Sequence, residues 1–263
     1  MWFRKRSSPP ADVHKRGPQL ESIFGEDDRR IVGDIAHPFW RPFCLLKFGF
    51  PGSNATFIGT GVLIGPRLIL TAAHNLYSLD ARAGIAAATA MAGFQDGQPS
   101  AEAAIINWKI HSDYPSQHPA DPDRYRYDFG VALVESDALF EWAGAAWSIG
   151  AMTPFADKAL AKKRLLIAGY PAADKLEDTR LKWSYGSPLS GQIRETLFTY
   201  RIDTTGGQSG APVFHLETDT SPPVIAGIHV SGFEGQHNIA RRFTQKAKTS
   251  IEGWCQQLSS PGV

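Results

Sequence analysis

The chain has 263 residues, of which 43% are hydrophobic and 20% charged, and a formal net charge of +1. That length buries a real core in one large or two small domains. The balanced charge excludes nucleic-acid or membrane-surface binding resting on bulk charge, and no apolar run approaches the length that spans a bilayer.

Residues 1–21 are polar, basic and Pro-rich, and read as a mobile leader or pro-segment. The opening Met1-Trp2-Phe3-Arg4-Lys5-Arg6 lacks the apolar core of a secretory signal, so a cytoplasmic location is expected. From Pro42 the grammar changes. Cys44–Phe48, Thr56–Ile64 and Arg67–Leu70 are short apolar runs split by Pro, Gly and Asn, as in an all-β barrel. Gly84 to Ala104 is Ala-rich and could be helical by propensity. Its position between strands predicts strand instead. A long Pro-bearing loop from Trp108 to Arg126 delivers the chain to Asp128, and Gly144–Ala161 reads as a linker. A second series of apolar runs begins at Arg164 and ends at Val230, and Lys246–Leu258 has helical spacing at Ile251, Trp254, Cys255 and Leu258. These divisions predict a first barrel over 22–143, a second over 144–245, and a C-terminal helix and tail over 246–263, with the helix on the second barrel.

Three stretches carry chemistry. In Asp203-Thr204-Thr205-Gly206-Gly207-Gln208-Ser209-Gly210-Ala211-Pro212 a serine stands between glycines, before a small-Pro-apolar run that reads as a buried strand. Glycines flank a nucleophile where the backbone must turn tightly and present its N–H groups to one spot, and such groups stabilise the oxygen that turns negative during acyl transfer. The donors here are Gly207 and Ser209. By itself the pattern fits an ordinary Gly-rich hairpin with a surface serine better than a catalytic turn. Leu70-Thr71-Ala72-Ala73-His74 and Tyr127-Asp128-Phe129-Gly130-Val131 each place a polar residue at the border of an apolar strand. A serine needs a base to take its proton and a carboxylate to orient that base. The order His74, Asp128, Ser209 is that of chymotrypsin-like enzymes, and differs from those of subtilisins and α/β-hydrolases.

On these motifs, and on Gly169-Tyr170-Pro171 and Gly227-Ile228-His229, the chain resembles the chymotrypsin-fold serine endopeptidases, most closely the V8-like glutamyl endopeptidases of bacteria. The resemblance runs from about Ile23 to the C-terminal helix. It implies two antiparallel six-stranded β-barrels with a C-terminal α-helix, a cleft between them, and a triad of His74, Asp128 and Ser209. It implies a protein or peptide substrate, no cofactor and no nucleic-acid or membrane partner; a monomer is expected. Members of the family are commonly secreted, although no signal is seen here.

The same resemblance assigns Thr204, five positions before Ser209, and His229 to the carboxylate of a substrate glutamate, with help from a freed α-amino group. Asp203 is the rival, since a pocket for lysine or arginine carries an acid near that point. Plain structural readings stand beside both: His229 as a core histidine and Thr204 as a turn residue. Arg30-Ile31-Val32-Gly33 looks like the trypsin activation site, but the aspartate that would meet the new amine is replaced by Gln208, so this cut is discounted. A cut at Glu21-Ser22, by the enzyme itself, is the expected alternative. Cys44 and Cys255 are too few for a disulfide framework and are read as reduced. His111 and His118, in a loop with Asp113, Asp121 and Asp123, read as a solvated loop, with a weak metal or calcium site as the lesser alternative. A binding module that kept the fold without catalysis is the competing class, and the presence of all three triad residues argues against it.

Overall fold

The computed structural model describes residues 22–218 and 220–260; the leader over 1–21, including Glu21, lies outside them. Strands Phe43–Gly49, Phe57–Gly65, Leu68–Thr71, Gly130–Val134, Ala101–Ile110 and Ala87–Ala92 form a closed antiparallel barrel in that spatial order. Side chains along a strand alternate faces, and here both faces are buried. From Phe43–Gly49, Cys44, Leu46 and Phe48 join one apolar cluster, and Phe43 and Leu45 join another.

The Ala-rich stretch is strand, as its position predicted. Ala87–Ala92 pairs with Phe43–Gly49 on one side and with Ala101–Ile110 on the other, so ladder pairing overrides local propensity. The hairpin between them turns at Asp96 and Gly97, with φ of 53° and 78°. Asp-Gly tolerates those positive angles and matches the twist of flanking strands.

The second unit departs from the expected closed barrel. It is an eight-stranded sheet ordered Arg30–Ile31, Lys182–Gly186, Leu165–Gly169, Pro212–His215, Val224–Phe233, His237–Arg242, Leu197–Tyr200 and Pro188–Ile193. The outer side of Lys182–Gly186 is taken by Arg30–Ile31, with Arg30 opposite Trp183. The following strand starts at Pro188, which has no N–H to give a ladder. The chain therefore passes through Ser187 from Lys182–Gly186 to the far edge strand Pro188–Ile193 without a ladder between those two strands among the described residues.

The C-terminal helix, Gln245–Ser259, starts where the Thr244 hydroxyl accepts from the Ala247 N–H at 3.2 Å. It buries Ala247, Ile251, Cys255 and Leu258, a stripe of helical period. The helix was expected on the second barrel, yet Trp254 stacks at 5.3 Å on Phe129 at the entry to the first barrel's strand Gly130–Val134. The helix lies there because the aromatic ring that its partly buried Trp254 meets belongs to the first unit. Among the described residues no helix is long and apolar enough to cross a membrane. Cys44 and Cys255 are both buried and unpaired, and burial pushes their thiols up to about 12 and about 11.

The units share one core. Phe43 of the first, Phe214 of the second and Trp147 of the linker meet with ring centroids 5.0–6.4 Å apart, and Phe39 closes the group. Phe214 is fully buried and lies on the strand that follows Ser209. Replacing Phe214 by Ala is expected to cost about 3–5 kcal/mol, read as a lower midpoint in denaturant unfolding.

Candidate active site

His74 sits in the single 3-10 turn Ala73–Asn75, directly after strand Leu68–Thr71. Asp128 ends the 3-10 segment Pro122–Tyr127 and precedes strand Gly130–Val134. Those two strands are ladder partners, with Thr71 opposite Gly130, so the two side chains emerge at the same rim. Both oxygens of Asp128 reach the same residue. Oδ1 accepts from the His74 backbone N–H at 2.9 Å, and Oδ2 lies 2.7 Å from His74 Nδ1. Asp128 is 1% exposed, and a carboxylate so buried needs such partners. An ionised carboxylate only accepts, so Nδ1 carries its proton and Nε2 offers the lone pair.

Ser209 lies between Gly207 and Gly210, whose φ values are +93° and +86°. Both glycines are required. A Cβ at Gly207 would fall 2.6 Å from the Tyr170 carbonyl oxygen and the Ala172 nitrogen, and one at Gly210 would fall 2.3 Å from the Thr60 oxygen. The turn is anchored to the first barrel by hydrogen bonds. The Ser209 carbonyl accepts from the Thr60 N–H at 2.8 Å and from Asn75 Nδ2 at 2.9 Å. The Thr60 hydroxyl donates to the Gly207 carbonyl, and Thr71 donates to that of Thr60. Asn75 is the neighbour of His74 in the chain, so the histidine turn and the serine turn are held against one another. On the other side, the Gly210 N–H donates to the His229 carbonyl and the His229 N–H to that of Ala211, each at 2.8 Å.

Thr204 and His229 are both fully buried behind this turn. The Thr204 hydroxyl makes no hydrogen bond among the described residues. His229 Nδ1 lies 2.7 Å from the hydroxyl of Tyr200, which is itself buried. Asp203, the rival pocket acid, has both oxygens engaged elsewhere. Oδ1 accepts from the Phe24 N–H at 2.8 Å and Oδ2 from the Asp28 N–H at 3.0 Å.

Sequence reasoning missed the residues that hold these groups in place. Thr60 and Asn75 lie in or beside motifs, but nothing local marks them as bridging units. Tyr200 ends an apolar strand, and its inward alternation was the available signal. Among the described residues, no group of three or more His, Cys, Asp or Glu is placed to hold a metal ion; His111 instead packs its ring against Tyr127 and Phe129.

Comparison with known proteins places the chain in a family. The Trypsin-like peptidase domain family matches residues 59–220. A glutamyl endopeptidase of Bacillus licheniformis is 28% identical over 244 residues, covering 89% of this chain and 69% of that protein. A Bacillus subtilis protein named extracellular metalloprotease is 28% identical over 242 residues, with 91% and 71% covered. In fold, a solved structure of a Glu endopeptidase in complex with MPD superposes with a TM-score of 0.70 at 22% identity, covering 89% of this chain and 99% of that one. The chain belongs to the trypsin-like peptidase family and is a serine endopeptidase.

Proposed function

We propose that the chain cleaves peptide bonds through Ser209, His74 and Asp128, with a preference for glutamate before the cut. The observation that carries the first part is the two-point hold of Asp128 on His74, beside a serine turn locked to the same rim. Ser209 Oγ attacks the peptide carbonyl while its proton passes to His74 Nε2. Asp128 stabilises the imidazolium that forms and fixes its orientation. The carbonyl oxygen takes up the negative charge and is met by the Gly207 and Ser209 N–H groups. His74 then gives its proton to the leaving amine, and water repeats the sequence on the acyl-enzyme. Protein or peptide substrates follow from the family.

For the specificity, the supporting feature is a pair of buried polar side chains, Thr204 and His229, beside an acid that is already engaged. Asp203 already accepts two backbone N–H groups, so a lysine or arginine would meet no unengaged carboxylate there. Thr204 and His229 instead offer a hydroxyl and an imidazole, and Tyr200 fixes the ring. A carboxylate drawn in must regain the bonds it had to water, each charge-assisted one contributing about 1.5–3 kcal/mol. The glutamyl endopeptidases among the relatives fit the same reading. Cleavage before Ser22 would place a new amine beside this pocket: the Ser22 N–H already donates to Asn238 Oδ1 at 3.0 Å, and its carbonyl accepts from the Thr204 N–H at 3.1 Å.

Ser209→Ala is expected to abolish labelling by a fluorophosphonate and to lower kcat about 10⁶-fold, and Asp128→Asn to lower it about 10⁴-fold. A folded parent protein that takes no label removes the nucleophile assignment. In a peptide library the parent should favour glutamate, and Thr204→Val or His229→Ala should each reduce that preference about 10- to 150-fold. A strong preference for lysine or leucine would sink the pocket and leave the triad standing. Glu21→Gln should leave the chain uncut and poorly active; full activity of the intact variant excludes self-processing at this bond.

A further inference from the structure

Residues 22–29 form neither helix nor strand, yet they are bound closely to the segment 203–208 that leads into Ser209. Asp203 takes the N–H groups of Phe24 and Asp28. The Asp28 carboxylate accepts from the Ser184 hydroxyl at 2.6 Å. Arg29 goes deepest: its side chain is only 6% exposed. One nitrogen, Nη1, donates to the Thr205 hydroxyl at 2.6 Å and to Gln208 Oε1 at 2.7 Å. Its other edge meets the Asp27 carboxylate at two points, both 2.8 Å.

We propose that Arg29 is a positioning residue that fixes the Thr205–Gln208 turn, and through it the Gly207 and Ser209 amides, from within the N-terminal segment. The inference rests on the assignment of Ser209 as nucleophile.

The chemistry lies in the side chain of Gln208. It is fully buried, and its Oε1 also accepts from the Thr205 N–H at 3.1 Å, while the Gln208 N–H donates to the Thr205 carbonyl at 3.1 Å. The four-residue turn is thus closed twice, once by backbone and once by the amide oxygen. An amide can rotate by half a turn with little change of shape, and would then press its NH₂ against the Thr205 N–H. A guanidinium has donors only, so Arg29 permits one orientation. It sets the polarity of the residue that stands between the two proposed oxyanion donors.

A buried cation is stable only when paired, and Asp27 supplies the pairing. The Arg29 guanidinium holds the Asp27 carboxyl down at about 2, below its ordinary 3.8. Because the folded value is the lower one, this pairing contributes fully above about pH 4 and is lost as pH falls towards 2. In trypsin, as the resemblance implies, an amine freed by cleavage meets an aspartate at the position of Gln208. Here Ile31 is 58% exposed at the edge of a sheet, and a guanidinium two residues upstream meets the amide instead. This hold on the turn calls for no new amine at Ile31.

The test compares Arg29→Ala, Arg29→Lys, Gln208→Ala and the Arg29→Ala/Gln208→Ala double variant with the parent. Thermal unfolding, the fluorophosphonate labelling rate at Ser209, and kcat and KM on one peptide substrate are measured for each. Arg29→Ala is expected to lower both kcat and the labelling rate about 10- to 100-fold, with KM within about threefold. Arg29→Lys should recover part of the loss, since an ammonium keeps the charge but not the fork. The double variant should be no slower than the worse single one, because the arginine acts through the glutamine. A folded Arg29→Ala protein with the parent's labelling rate overturns the inference, as do losses that add in the double variant. If Arg29→Ala does not fold, Arg29→Lys decides, and a parental kcat there overturns it. No label on the parent protein sinks the nucleophile assignment and this inference with it; a labelled parent with an indifferent Arg29 sinks the inference alone.

Discussion

One oxygen holds the two halves of this molecule in register. The Ser209 carbonyl, on the second unit, accepts from Thr60 and Asn75, both on the first. Thr60 adds a second tie through its hydroxyl, which donates to the Gly207 carbonyl and accepts from the Tyr170 N–H at 2.9 Å. Thr60, Thr71 and Asn75 are all buried, so these bonds are shielded from water and an unmade one would be expensive. A serine contributed by one unit and a histidine contributed by the other can work together only if their backbones share such a reference point.

The same economy governs the rest of the site. Asp128 serves one residue with both oxygens, and Asp203 serves the N-terminal segment with both of its own. Each buried carboxylate is thereby satisfied by N–H donors in fixed places and has no reason to move. Two aspartates in the neighbourhood of the cleft thus do separate tasks because of what surrounds them.

Much of this was legible in the chain. His74, Asp128 and Ser209 each sit in a short local pattern, and their order along the chain is specific. The Ala-rich hairpin was legible from its place between strands. The ties that position the site were not. Asn75 to Ser209 spans 134 residues, Thr60 to Gly207 spans 147, and Arg29 to Gln208 spans 179; no local periodicity encodes a single bond over such separations. The second sheet was misjudged for the same reason. A two-residue strand at Arg30–Ile31 leaves no pattern of its own, yet it takes the edge on which a closed barrel depends. The C-terminal helix announced its apolar stripe but not the ring of Phe129 that Trp254 would meet.

Consider Gly210, where the backbones of the two units come so near that even a methyl group has no room. A larger residue at that one point would have to drive Thr60 and Thr71 away from the serine turn, and with them the partners that fix the Ser209 carbonyl. How near the two halves stand is thus set by what a single residue lacks.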